Sequence, residues 1–215
     1  MQDATHTALS PSGFFSDVDY VAVSLRKWMG VISGGLAFKC GGSFHIKPLP
    51  ADEHHLSVRD YALSTRHKYE LNNDEELNKR SLDAFWEAEW ELRKIYEIQE
   101  GDSKSLKTIL HYPIDNAIEK RRENFAYLLK HLPKNAEVRP IFTELPDDVC
   151  PMFFPFLVDN RSALMEHLAA NEIPPKIYWP VPPFIDITGY PGAEYVYSHI
   201  MSCLLYTSDA ADDKA

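Results

Sequence analysis

Cysteine is scarce in this 215-residue chain. Cys40, Cys150 and Cys203 are the only three, and they show neither metal-ligand spacing nor an obvious pairing. A disulfide framework and a cysteine-based zinc site are therefore not expected, and reduced thiols in a cytoplasmic protein are. No apolar run approaches the roughly 20 residues a membrane span needs. The first residues, Met1-Gln2-Asp3-Ala4-Thr5-His6, have no basic flank and no apolar stretch, so they do not read as a signal peptide. A basic stripe is missing too. The formal net charge is −10, which argues against nucleic acid or an anionic membrane as partner. What is present is ordinary for a globular protein: 45% hydrophobic and 25% charged residues.

The pattern along the chain predicts alternating strands and helices, hence an α/β class. Residues 18–23 read as a short buried strand, and Leu36-Ala37-Phe38 as a second strand stopped by Gly41-Gly42. Residues 56–70, 74–99 and 114–131 read as helices. The second carries Leu77, Leu82, Phe85, Trp86, Leu92, Ile95 and Tyr96 at three- and four-residue steps. Pro133 and Pro140 mark a linker. After it come a strand over Met152–Val158, a helix over Ser162–Ala170 capped by Asp159-Asn160, and a strand over Ile177–Trp179. Tyr195–Met201 suits one more strand or a short helix. Division into residues 1–110, 111–202 and a tail from 203 follows. The string from Cys203 to Asp213 resembles the in-frame translation of a sequencing-library adapter, so 203–215 is expected to be a non-native tail without function.

The segment with chemical promise is Ser24-Leu25-Arg26-Lys27-Trp28, directly after the first strand. The carboxyl end of a strand is where α/β sheets place ligands. Gly34-Gly35, seven residues on, would let backbone approach a bulky group. A desolvated lysine there would offer a neutral amine to a carbonyl. Upstream, Asp3 could oppose a protonated ring nitrogen, and His6 lies three residues further. The Ser-x-x-Lys of an acyl transferase is disfavoured, because no Ser-Asp-Asn or Lys-Thr-Gly partner occurs. His45 and His54-His55 read as loop histidines rather than metal ligands. Glu87, Glu89 and Glu91 alternate and read as a solvated set.

At these residues the chain resembles the fold-type-I aminotransferases that use pyridoxal phosphate (PLP), and most of all the DegT/StrS group. The likeness runs through Asp3-x-x-His6, Ser24-x-x-Lys27 and Gly34-Gly35. It continues at Arg121-Arg122-Glu123-Asn124, Phe153-Phe154-Pro155-Phe156, Asn160-Arg161 and Tyr178-Trp179-Pro180. Ser33 departs from it, since the position before Gly34 is often acidic in the group. The resemblance implies the C-terminal part of a fold-type-I large domain followed by a small α/β domain. It implies that Lys27 forms the internal aldimine and serves as catalytic base, with Asp3 at the pyridine nitrogen, His6 near the ring and Ser24 at the phosphate. It implies a homodimer that moves an amino group, from glutamate, onto a keto sugar or similar ketone. It also suggests truncation at the N-terminus, leaving this polypeptide inactive alone. The alternative is a PLP-type scaffold that has lost catalysis and acts as a binding or regulatory module.

Overall fold

The computed structural model describes residues 1–133, 137–171, 173, 177 and 180–205. The chain is mixed α and β and falls into two compact units, Met1–Ile114 and Asp115–Tyr206. Among the described residues no helix is long and apolar enough to cross a membrane.

In the first unit, β1 (Gln2–Asp3) runs parallel to β2 (Tyr20–Ser24), and β3 (Gly35–Lys39) pairs antiparallel to β2 on its other side. The register sets Asp3 opposite Ala22 and Ser24 opposite Gly35. Val21 and Val23 point inward from β2, in the alternation a strand imposes. They join Ala4, Leu25, Trp28, Met29 and Val31 in a buried layer. Two helices follow. α1 (Glu53–Asn72) is capped by Asp52, whose carboxylate accepts from the His55 amide at 3.0 Å. Asn73, at φ 52° in the left-handed region that Asn tolerates, ends α1. Asp74 then caps α2 (Glu75–Leu92), so the two helices form a tight antiparallel hairpin. Ala62, Ala84, Phe85 and Ala88 are buried along the pair; the alanines let the backbones approach and Phe85 supplies the apolar area.

α2 stops seven residues before the predicted end at 99. The backbone of residues 98–100 pairs with Leu49 instead: Leu49 donates to the Ile98 carbonyl at 2.8 Å and Glu100 donates to Leu49 at 2.9 Å. That leaves Tyr96 exposed rather than on an apolar helix face. A further helix, α3 (Ser103–His111), is absent from the sequence reading. Asp102 caps it, accepting from the Ser105 amide at 2.7 Å.

The second unit starts with α4 (Ile114–His131), over the predicted residues. Its sheet has the order β4 (Val138–Pro140), β5 (Phe153–Val158), β6 (Ile200–Leu204), antiparallel throughout. β4 occupies the stretch expected to be linker. Pro140 is tolerated because it lies at the strand's end. β5 is apolar at every position, yet only Phe154, Phe156 and Val158 are buried, facing Phe125 of α4. α5 (Arg161–Ala170) is capped by Asn160. α6 (Pro191–His199) leads directly into β6, so both alternatives for that stretch occur in succession. The adapter-like string does not begin outside the fold. Cys203 and Leu204 pair with Phe154 and Phe153, and Leu205 is 1% exposed. Its apolar first residues fit the strand's inner face, and the unit's described core extends to 205. Residues 206–215, the Tyr178-Trp179 pair and most of the strand expected over Ile177–Trp179 lie outside the described residues.

Candidate functional site

The parallel pair β1–β2 brings two distant segments to the same sheet end, and Thr5 joins them. The Ala4 amide donates to the Ala22 carbonyl at 2.8 Å, continuing the ladder. The Ser24 amide donates to the Thr5 hydroxyl oxygen at 3.0 Å. The indole of the fully buried Trp28 donates to the Thr5 carbonyl at 2.6 Å. Thr5 therefore holds the carboxyl end of β2 and the turn after it against the segment that carries Asp3 and His6. Thr5 sits inside the Asp-x-x-His string, yet its role depends on partners 19 and 23 residues away and has no local sequence signal.

Asp3 is exposed, and its carboxylate accepts from the Thr5 amide at 2.9 Å. The Thr5 hydroxyl and the Thr5 amide hold its carboxyl below the usual aspartate range against the opposing effect of burial, with a smaller contribution from the charge of His6. Asp3 is thus a firm anion at neutral pH. His6 and Ser24 are half-buried. Lys27 ends a short 3-10 turn over Leu25–Lys27 and is also half-buried, less enclosed than the desolvated amine expected from sequence. Its charge reaches Glu89. The structure therefore links Asp3, His6 and Ser24 through Thr5, with Lys27 one residue before the Trp28 that grips Thr5.

Beneath this turn the chain is held by charge. Arg26 donates to Glu89 at 2.8 Å, and Arg59, 1% exposed, donates to the same oxygen at 3.2 Å. The Arg59 guanidinium also lies 5.1 Å from the Phe85 ring centroid, a cation–π distance. Burial works to raise the Glu89 pKa, but Arg26, by charge and hydrogen bond, and then Arg59 outweigh it, so the carboxyl titrates below its usual range. The Gly34-Gly35 segment is anchored from the other side. The Ser33 hydroxyl donates to Asp102 at 2.6 Å, the Asp102 amide donates back to the Ser33 hydroxyl at 3.0 Å, and the Ile32 amide donates to Ser105 at 2.9 Å. Ser33, where the resemblance leads one to expect an acid, thus receives its carboxylate from Asp102. Between these anchors lies a cavity of about 560 Å³, lined in part by Ser24, Arg26, Gly34, Gly35, His55 and Asp102. Ser24 borders it; Asp3, His6 and Lys27 are not among its lining residues.

A second cluster lies at the open end of the α1–α2 hairpin. His54 and His55 are on the first turn of α1, not in a loop. The His54 Nε2 is 2.9 Å from Glu91 Oε1, and Glu87 has a carboxylate oxygen in the same group, all within 4.8 Å. Glu87 and Glu91 are four apart and share a helix face, with Glu89 turned away toward the arginines. Alternation separates Glu89 from its neighbours, but the i, i+4 spacing puts Glu87 and Glu91 together rather than in a dispersed solvated set. Burial, then the charges of Arg59 and Arg26, lower the His55 pKa, leaving its ring neutral near pH 7.

In the second unit the Arg121-Arg122 string is structural in its contacts. Arg121 is buried on α4, and Arg122 donates to the carbonyls of Pro146 and Val149 at 2.7 and 2.6 Å. Arg161 donates to the Tyr197 carbonyl at 2.6 Å. Burial pushes the Cys150 thiol up to about 11, so it is not a nucleophile at neutral pH. All three cysteines are free thiols. No family model matches this chain, and no curated protein and no solved structure matches it either.

Proposed function

We propose that the chain belongs to a PLP-dependent aminotransferase of the DegT/StrS type, with Lys27 as the cofactor-bearing and catalytic residue. The observation that carries this reading is the Thr5 bridge, which draws Asp3-x-x-His6 and Ser24-x-x-Lys27 to one end of two parallel strands. The donor set suits the group: an ionised carboxylate for a ring nitrogen, an imidazole, a hydroxyl for a phosphate and an amine for an aldehyde. Bound there, PLP would supply an electron sink for the carbon that exchanges its amino group.

Each side chain then has one task. Asp3, kept anionic by Thr5, would hold the ring nitrogen protonated. His6 would sit near the ring, and Ser24 would hydrogen-bond the phosphate. Lys27 Nζ would take the proton from the Cα of the amino donor and later return one to the acceptor carbon. Glutamate is the proposed donor and a keto sugar or similar ketone the acceptor, in a cytoplasmic homodimer. On this reading the first unit belongs to a fold-type-I large domain and the second is its small domain.

The test is spectroscopic. Adding PLP to the protein should give a visible absorbance band that Lys27→Ala removes while far-UV circular dichroism stays unchanged. A band that persists in the variant, or no band at all, overturns the assignment. A Lys27-dependent band that glutamate bleaches favours the enzyme over a binding or regulatory module.

A further inference from the structure

The geometry points to a divalent transition-metal site, of the zinc class, formed by His54, Glu87 and Glu91 at the open end of the α1–α2 hairpin. It is independent of the PLP reading and uses none of its residues. The ligand atoms already lie close: His54 Nε2 and Glu91 Oε1 are 2.9 Å apart, and the Glu87 oxygen completes a group within 4.8 Å. With metal bonds of about 2.0–2.2 Å, a 2.9 Å edge subtends roughly a right angle, which suits two adjacent ligands. Glu87 and His54 are exposed and need only a rotamer change to close the third edge.

Two further observations point to a cation. Glu87 and Glu91 sit in the last turns of α2, where the helix's own negative end repels carboxylates. Their i, i+4 spacing adds like-charge repulsion, and no basic residue occupies the last turn of the helix. Secondly, Glu91 Oε2 and His55 Nδ1 face each other at 4.0 Å, both buried and both without a hydrogen-bond partner among the described residues. A metal on Glu91 neutralises the carboxylate pair and lets that side chain turn its second oxygen toward His55, the outer support that ligating carboxylates commonly have. One imidazole and two carboxylates, with water in the remaining positions, favour a first-row transition ion over magnesium. The hairpin's other end is closed by Asn73 and Asp74, so the ion would clamp the end that the chain leaves open.

Zinc chloride titrated into chelator-treated protein tests this by calorimetry and by thermal unfolding. The expected result is one saturable zinc per chain, a rise in Tm that magnesium does not reproduce, and a visible cobalt spectrum on substitution. His54→Gln, Glu87→Gln and Glu91→Gln should each weaken zinc binding by more than about tenfold, the lower end of what even an outer partner of a ligand contributes. Glu76→Gln, on the same helix but paired with Arg80, should leave it unchanged. His54→Gln and Glu87→Gln alter exposed side chains and decide the outcome even if Glu91→Gln unfolds the hairpin. Absence of saturable zinc binding, binding that survives the first two variants, or an equal response to magnesium overturns the site.

Discussion

The two units of this chain combine apolar and polar contacts in different proportions. In the second unit, Phe125, Phe154, Phe156, Val158, Met201 and Leu205 make one continuous apolar core. In the first, the cluster between α1 and α2 is small, just Ala62, Ala84 and Phe85. Beside the apolar layer around Val21, Val23, Leu25 and Trp28, this unit adds part-buried polar links: Arg59 and Arg26 on Glu89, Arg66 on Asn78, and Asp102 with Ser33 and Ser105. Apolar burial is indifferent to pH, while charge networks are not. Polar links also fix geometry more sharply than apolar packing does, and the unit that uses them is the one bearing the candidate site.

The comparison can be broken most forcefully in the apolar unit. Phe154 is 1% exposed and packs tilted against Phe125, with ring centroids 4.9 Å apart. Phe154→Ala should cost about 3–5 kcal/mol, the usual range for emptying an aromatic from a core. Hydrogen exchange would show lost protection in β5 and β6, with residues 1–114 unaffected. A smaller loss is expected from Glu89→Gln in the polar unit. It removes the carboxylate that Arg26 and the buried Arg59 share; since Glu89 itself is half exposed, the cost should be about 1–3 kcal/mol rather than the full value for a buried pair. Urea unfolding read by tryptophan fluorescence would report it, because Trp28, Trp86 and Trp90 lie in that unit.

Acid should give the smallest and most discriminating effect. Glu89 and Asp102 both titrate below their ordinary ranges in the folded chain. Their stabilising contribution is complete above the ordinary carboxylate range and fades as pH falls through it toward the lowered values. The depressed carboxylates of the second unit, Asp159 and Asp186, are at the surface and matter less. Lowering the pH from 7 should therefore loosen residues 1–114 first, by exchange or fluorescence. Simultaneous loss in both units would remove the contrast.

Local signals were legible where one element decides its own fate. The helix over 114–131 reads from Ile114, Ala117, Phe125 and Leu128, and the strand around Val21 and Val23 from its apolar character and the turn after it. Distant pairing was not. Leu49 captures residues 98–100 and ends α2 at Leu92, and no local property of Ile95 or Tyr96 announces that. β4 exists because β5 offers it an edge. At the site, Asp3, His6, Ser24 and Lys27 were nameable from residue type and spacing, while Thr5 acts through two contacts spanning 19 and 23 residues. The His54–Glu91 contact likewise needs the hairpin to be formed.

The most direct measurement on the central claim is to incubate the protein with PLP, reduce with borohydride and map the modified peptides by mass spectrometry. The reduced pyridoxyl group is expected on the peptide carrying Lys27, in near-stoichiometric yield and without comparable labelling of other lysines. Labelling spread across the surface lysines, or concentrated on a lysine other than residue 27, would contradict it.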